Sequence, residues 1–570
     1  MSSYDSLSEK QRDIVFEKTG KFVVRACPGS GKTYSVAARF ADQIENWEYK
    51  YRGIASISFT NVAWQEVEST LNEVFNVYTP VRYPHFLGTI DSFINRHIFL
   101  PYGHLILGCD KRPTLVGPPH GNWSGDSFSA SFFDKISIDI NGNFYALNPR
   151  AMPRNWESNN YIISFKKRFL KAGYATQSDA NYFSLKILQE HPSLAKSLAL
   201  RFPKLIIDEA QDTSRIQLNI IELLIENGLA NVMMVGDYDQ AIYEWNEAKP
   251  ELLNQKFTEW KDNSLKLNEN RRSSQKICDF TYNISSLDKP SIAINEEIKN
   301  SPIDPLIIRY EQSSLQDTIT YFLEMCKGHD IAIDKNNVAI LSRSKTLVKE
   351  ILGAKIILPN ELPWQVDKSY VKEIAYGKYL MDNSEFNKGF KYLEKGLYKA
   401  LYGPNYCSEE DLKDWIRRIG IVNLRTNIYS TYKILPSTSN TTISNWILNA
   451  SSKLRENNPK IDLSIKQNKG NKTFDDLFKG DKELDRNLPF QLGTVHSVKG
   501  ETFEAVLLFL KQKGIGKHYR TMLRKGYTTE DHEELRIVYV GITRPRKLLV
   551  MAVPDQKNFE AWNQRMFPED

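Results

Sequence analysis

Short unbroken apolar runs recur along this chain, and most of them end in a polar or glycine-rich turn that opens a helix. Phe22-Val23-Val24 runs into Ala26-Cys27-Pro28-Gly29-Ser30-Gly31-Lys32-Thr33. Beyond that turn Val36, Ala37, Phe40, Ala41 and Ile44 recur at helical spacing. Ile54 to Phe59 ends in Thr60-Asn61 and a helix from Val62, and Gly88-Thr89-Ile90-Asp91-Ser92-Phe93 begins another such element. Leu205-Ile206-Ile207 leads into Asp208-Glu209-Ala210-Gln211-Asp212, and Val232 to Val235 into Gly236-Asp237-Tyr238-Asp239-Gln240. Further on stand Leu267 to Ser273, Val338 to Leu341, Gln491 to Ser497 and Ala505 to Phe509. A helix from about His532 then ends near Thr543-Arg544, and Leu548 to Met551 closes the sheet. Buried strands alternating with amphipathic helices predict an α/β fold with parallel sheets.

Two stretches break the alternation. From about Pro101 prolines and glycines become dense. Ile136 to Ile140, Asn141-Gly142 and Phe144 to Leu147 then read as a β-hairpin, with helical sequence from Tyr161 to Leu198. From Thr346 to Arg486 the pattern is helical and charged. The expected organisation is two α/β cores, each interrupted by an insert: residues 1–98 and 199–265 for the first core around an insert at 99–198, residues 266–345 and 489–570 for the second around an insert at 346–488.

Bulk properties narrow this picture only a little. A chain of 570 residues is too long for one core, and three or four domains is the expectation. Hydrophobic content of 41% and charged content of 25% are ordinary for globular protein. A net charge of +6 permits a local nucleic-acid surface without arguing for one. The five cysteines lack paired spacing, which argues against a disulfide framework or zinc site and fits a reducing cytoplasm. The polar N-terminus lacks the apolar core of a signal peptide, and no apolar run is long enough to span a bilayer, so no membrane partner is expected.

The turns carry the chemistry. Strand, glycine-rich turn and helix make a phosphate loop, in which backbone N–H groups and the helix N-terminus face an anion. Ala26 to Thr33 form it. Lys32 reaches the β- and γ-phosphates and the Thr33 hydroxyl holds Mg²⁺. Asp208 and Glu209, adjacent after a strand, suit one place on the Mg²⁺ shell and one beside the attacking water; a solvated acidic turn is the alternative. Gln240 can sense a γ-phosphate without repelling it. Arg272 and Arg544 can spread charge over phosphoryl oxygens, or form surface ion pairs. The Gln11 amide can meet an adenine edge, or lie solvated on its helix. Tyr243 and Trp245 can stack on bases or pack in the core. Thr494, His496, Ser497 and Lys499 suit sugar-phosphate contacts.

The order and wording of these segments resemble one family. Gln11, ACPGSGKT, SFTNVAWQEV, GTIDSF, LIIDEAQDTS, VGDYDQAIYEW, LNENRRSS, GTVHSVKGETFEAVLL and EELRIVYVGITRPRKLLV look like the ordered motif set of UvrD-like superfamily 1 DNA helicases. The resemblance implies two RecA-like cores, 1A and 2A, carrying subdomains 1B and 2B, with ATP and Mg²⁺ as cofactors and 3′–5′ movement on single-stranded or 3′-tailed duplex DNA. It implies that Gln11 reads adenine, that Lys32 and Thr33 bind phosphate and Mg²⁺, and that Asp208 joins the Mg²⁺ shell with Glu209 as base. Gln240, Arg272 and Arg544 become γ-phosphate sensors, and Glu501 falls near the ribose. Phe59, Thr60, Asn61, Thr89, Tyr243, Trp245, Thr494 and His496 fall on DNA-contact positions.

The chain departs from the family pattern at several points. Arg271 stands where an aromatic is expected, Asn246 where a basic residue is, and Asp91 where a histidine is. Glu501-Thr502-Phe503 shifts the usual Leu-Glu-Phe order, and the first insert carries a hairpin. The short form is similar to helicase subunits of bacterial defence systems such as Gabija, which act beside a nuclease. A DNA-sensing regulatory ATPase that signals to a nuclease shares every motif and stays open as an alternative to a motor. A helicase–nuclease fusion and a small-molecule kinase are disfavoured, the first for want of a nuclease-type acidic cluster, the second because a second core serves no purpose there.

Overall fold

In a computed structural model, residues 4–568 are described except 118–119, 121–122, 124–127, 148, 150–151, 154–155, 159, 243–247, 312–314, 352–363, 366–369, 403–406, 408, 458–460, 462, 464–466, 469–472, 476–487 and 513–516. The chain divides into two compact units. One comprises Met1–Thr114, Ile136–Ile351 and Leu488–Asp570, the other Leu115–Lys135 and Leu352–Asn487.

The first unit holds two parallel sheets. Strands β1 (Lys21–Ala26), β2 (Ile54–Ser58), β3 (Phe86–Thr89), β4 (Lys204–Ile207), β5 (Asn231–Gly236) and β6 (Leu265–Leu267) form the first, in the order β6-β1-β5-β4-β2-β3. Every adjacent pair is parallel. All five residues of β2 are buried, as a strand covered on both faces requires. Helices α1 (Lys32–Glu45) and α2 (Asn61–Glu73) follow β1 and β2. Phe22, Val24, Val36, Phe40, Val67, Leu71, Ile206 and Val235 share one core cluster.

The second sheet contains β7 (Leu306–Tyr310), β8 (Val338–Ser342), β9 (Gln491–Thr494), β10 (Phe503–Phe509) and β11 (Pro545–Pro554), in the order β7-β11-β10-β8-β9. These pairs are parallel too. Helix α3 (Glu533–Ile542) is buried from Glu534 to its end against this sheet.

Three expectations need correction. The boundary at residue 266 cuts through β6, which pairs with β1 and so belongs to the first sheet; the three-residue Leu-Lys-Leu run is too short to announce its partner. The strand expected to close the second sheet, β11, lies between β7 and β10. The first insert is not a unit of its own, since 115–135 falls in the second unit and 136–198 in the first. Part of the reason is polar stitching. Helix Gln177–Glu190 is tied to the first core by Asn181 Nδ2 donating to Asp91 Oδ1 at 3.1 Å and Asn95 Nδ2 to Gln177 Oε1 at 2.8 Å. The expected hairpin pairs Ile136–Ile138 with Phe144–Ala146.

The second unit is helical over most of its described length, and Tyr370–Asp382 and Phe386–Tyr402 are among its longer helices. Leu393, Leu397, Trp415, Trp446 and Phe474 lie in its core. Among the described residues, no helix is long and apolar enough to cross a membrane.

Candidate functional site

Parallel strands place their following turns along one rim, and this is where the singled-out residues of the first sheet gather. At the end of β1, Gly29 and Gly31 have φ of 70° and 76°, a region that glycine enters at little cost. A Cβ on Gly29 would stand 2.6 Å from the Arg272 Cβ, and one on Gly31 would stand 2.8 Å from Gln11 Nε2. The loop is thus pressed against both its own N-terminal helix and the second core's arginine segment. Cys27 N donates to Leu267 O at 2.9 Å and Arg271 N to Gly29 O at 2.8 Å. Ser30 Oγ closes the turn on Cys27 O at 2.7 Å. The first N–H groups of α1 have no partner within the helix and remain for an anion.

Lys32 is buried at the start of α1, its Nζ 3.9 Å from Asp237 Oδ2. Asp237 also accepts from Gln240 Nε2 at 2.6 Å, and Gln240 Oε1 accepts from Arg544 Nη2 at 3.0 Å. A continuous polar line therefore runs from the phosphate loop across to the second core. Arg544 is fully buried, and Arg272 stands close enough for each guanidinium to feel the other. Burial pushes Arg544 down to about 9, with Arg272 adding to the fall and Glu209 and Asp237 opposing it. Burial also lowers Arg272, against the pull of Glu66, Cys27, Glu209 and Asp237. Guanidinium groups confined together in a desolvated cleft suit a polyanion.

Facing them, Asp208 and Glu209 follow β4. Glu209 has φ of 53°, a left-handed conformation that is strained for a non-glycine residue. Its carboxylate takes a hydrogen bond from Gln211 Nε2. Burial opposes its ionisation, yet Lys32, Lys499, Gln211 and Arg544 hold it low. Asp208 goes the other way. Burial and then the Glu209 charge raise it. Its Oδ1 accepts from Glu209 N at 2.9 Å, while its buried Oδ2 has no hydrogen-bond partner. An acceptor desolvated without a partner is a good fit for a cation.

Several residues sit differently from expectation. Gln11 is not solvated: it is 1% exposed, its Oε1 accepts from Ser8 N at 3.1 Å and Arg271 Nη2 at 3.0 Å, and its Nε2 donates to Ser30 O at 3.3 Å. Arg271, standing where an aromatic was expected, thus fastens Gln11 to the loop. Lys499, expected on sugar-phosphate, has its Nζ 2.7 Å from Asp212 Oδ2, an ion pair across the two cores. Asp91 accepts from Gln217 Nε2 at 2.9 Å as well as from Asn181. Glu501 is exposed, and its backbone oxygen accepts from Arg544 Nη1 at 3.4 Å.

The candidate DNA residues lie on the same rims. Ser58 pairs with Thr89 across β2 and β3, and Ser342 with Thr494 across β8 and β9. Thr60 and Thr89 cap the helices that follow, each hydroxyl accepting an N–H, from Ala63 at 3.2 Å and Ser92 at 3.1 Å. Phe59 is half-buried and Asn61 exposed. Burial, with Arg343 adding, lowers His496. Tyr243, Trp245 and Asn246 lie outside the described residues.

Sequence reasoning missed the second bridge between the cores. Asp239, 1% exposed, accepts from Ser286 Oγ at 2.6 Å and from Thr529 Oγ1. Arg25 Nη2 donates to Ser286 Oγ at 2.8 Å. An aspartate at a strand's end was visible; its partners, far along the chain, were not.

Two parallel α/β cores, with a P-loop-type turn on one and arginines presented by the other, define a class of two-core P-loop proteins. Comparison sharpens it. The family model for the UvrD/REP helicase N-terminal domain matches residues 7–102 and 137–261, and that for the UvrD-like helicase C-terminal domain matches 476–556. The chain belongs to the UvrD-like superfamily 1 helicases. It is 21% identical to DNA helicase II of Haemophilus influenzae, over 99% of this chain and 86% of that protein. With the probable DNA helicase II homolog of Mycoplasma genitalium it shares 22% identity over 97% and 85%. An ATP-dependent helicase/nuclease subunit of Streptococcus uberis is 31% identical over 24% of this chain, and the match spans only 12% of that relative's length.

Proposed function

We propose that this chain is an ATP-dependent DNA helicase that moves 3′ to 5′ along single-stranded DNA and opens duplex ahead of it. The observation that carries the reading is the polar line from Lys32 through Asp237 and Gln240 to Arg544, with Arg272 pressed against Gly29 of the phosphate loop. The loop from Ala26 to Thr33 holds the phosphates, with Lys32 on the terminal ones. Thr33 and Asp208 are the residues that would hold Mg²⁺, whose charge polarises the phosphoryl group. Glu209 takes the proton of the attacking water on Oε1, since Oε2 is occupied by Gln211. Gln240, Arg272 and Arg544 meet the charge that develops on the γ-phosphoryl oxygens. Losing that charge loosens the line from Lys32 through Asp237 and Gln240 to Arg544, and the cores part.

Thr60, Thr89, Thr494 and His496 follow strands whose neighbouring turns hold these groups, so core movement shifts the strand bound on the rims. Lys499 lies three residues beyond His496 and pairs with Asp212, which Gln211 links to Glu209. This gives DNA on the rim a direct route to the catalytic carboxylate. The inserted stretch 346–488 corresponds to subdomain 2B, and subdomain 1B is drawn from the stretch 99–198, of which 136–198 groups with the cores and 115–135 with the other unit.

Strand displacement on a 3′-tailed duplex tests the proposal. Displacement that requires ATP and fails on a 5′-tailed duplex supports it. DNA-stimulated ATPase without displacement would convert the reading to a sensor acting through a nuclease partner, the role that defence helicase subunits suggest.

A further inference from the structure

The residues placed in the candidate site lie where strands end; the opposite edge of the first sheet, where β2, β3 and β4 begin, has a chemistry of its own. The loop entering β2 reads Asn46-Trp47-Glu48-Tyr49-Lys50-Tyr51-Arg52-Gly53, and the loop entering β3 reads Tyr78-Thr79-Pro80-Val81-Arg82-Tyr83-Pro84-His85. The two form one surface. The Trp47 and His85 rings are 5.9 Å apart, and Ile54 N donates to His85 Nδ1 at 3.3 Å. Gly53 N donates at 2.8 Å to the backbone of Arg201, whose guanidinium lies 4.9 Å from the Tyr83 ring. Lys204, the first residue of β4, holds its Nζ 5.5 Å from the Trp47 ring.

On this surface tyrosines stand open to solvent: Tyr49 is 54% exposed, Tyr51 67%, Tyr78 66% and Tyr83 65%. In these two loops the exposed large apolar side chains are all tyrosines. Cations alternate with them. Arg52 lies 5.5 Å from the Tyr49 ring, Lys50 5.5 Å from Tyr51 and Arg82 4.5 Å from Tyr78. Tyrosine and arginine are enriched at protein interfaces as well, but a single-strand platform needs ring faces for bases with cations beside them for phosphates, and Tyr49, Tyr51 and Tyr83 with Arg52 and Arg82 supply both. β2 spans five residues, roughly 16 Å at strand rise, so this edge is separate from the Thr60 rim.

We propose that the edge formed by the Asn46–Gly53 and Tyr78–His85 loops is a second binding platform for single-stranded nucleic acid, distinct from the rim that serves the motor. It rests on the helicase reading only in taking nucleic acid as the polyanion. A strand leaving the rim, or a second strand, stacks its bases on Tyr49, Tyr51 and Tyr83 while Arg52 and Arg82 take its phosphates.

The test uses the full chain, oligo-dT carrying 5-iodouracil for photo-crosslinking, and fluorescein-labelled oligo-dT for titration. The expected result is a crosslinked peptide from the Trp47–Arg52 loop and a salt-sensitive second binding step. In Tyr49→Ala/Tyr51→Ala/Arg52→Ala that crosslink disappears and the second step weakens about tenfold or more. DNA-stimulated ATPase keeps its wild-type rate, which also reports that the variant folds. Arg82→Glu weakens the same step from the other loop. Crosslinks confined to the rim, with a single binding step, overturn the proposal. So does displacement of the oligonucleotide from this edge by poly-glutamate as readily as by unlabelled oligo-dT, which would assign the surface to an acidic polypeptide. A wild-type ATPase indifferent to DNA would sink the helicase reading, while the crosslink still decides this one.

Discussion

The two sides of the cleft differ in what they can do alone. The first sheet brings the glycine loop, Lys32 and a crowd of carboxyls: the buried Asp208, Asp212 and Asp237 and the half-buried Glu209. The second core brings cations, with Arg272 and Arg544 beside the loop and Lys499 against Asp212. Burial pushes Asp212 up to about 6 and Asp237 up to about 6, against the pull of Lys499 and Lys32 respectively. On the other side burial pulls the guanidiniums down. Each half thus holds charge it cannot satisfy by itself: under the proposed function the phosphates of a nucleotide would answer the guanidiniums, and the Mg²⁺ they carry would answer the carboxyls. A machine that opens and closes needs that mutual dependence, because a half complete on its own would have no reason to close.

Substitutions should separate the halves by size of effect. The largest loss is expected on the first side. Lys32→Ala should lower kcat for ATP by roughly a thousandfold or more, and Glu209→Gln should do the same while still binding ATP, as read by a fluorescent ATP analogue. On the second side Arg544→Ala should cost roughly a hundred- to thousandfold in kcat. Arg544→Lys should recover little, since an ammonium lacks the planar fork by which a guanidinium spans Gln240 and a phosphate. Lys499→Met should cost roughly tenfold or more in DNA-stimulated kcat with KM for ATP unchanged, and Lys499→Arg should restore part of it. An equal fall in DNA affinity would instead make Lys499 a DNA contact.

The smallest effect is on stability and concerns the first core alone. His97, packed against the Phe86, Phe93 and Phe202 rings, is pushed down to about 4 by burial, with Arg96 and Arg201 adding to the shift. Its folded pKa lies below the usual 6.5, so its contribution is present above pH 6.5 and lost as pH falls from there towards 4. Urea unfolding should show a loss of order 1 kcal/mol across that window, and His97→Phe should flatten it.

Most strands were legible because a short apolar run ending in Asp-Glu, Gly-Asp or a glycine loop signals both a buried strand and its carboxyl end. The site residues near those ends, Lys32, Asp208, Glu209 and Gln240, could be named for the same reason. What failed was pairing. Leu265–Leu267 carries no mark that its partner is β1. Lys499 reads as a phosphate ligand until Asp212, 287 residues away, is seen beside it. Gln11 reads as a surface amide because its neighbours Lys10 and Arg12 are charged; burial by Ser30 and Arg271 is decided elsewhere in the chain. Local pattern specifies elements, and the fold alone specifies which charges meet.

The claim that both sides grip one nucleotide is tested most directly by Arg272→Ala/Arg544→Ala, followed by single-turnover hydrolysis and by binding of a fluorescent ATP analogue. The account predicts that the analogue still binds through the loop and Lys32, while hydrolysis falls to the level of Lys32→Ala. Hydrolysis at the wild-type rate in that double variant would contradict it.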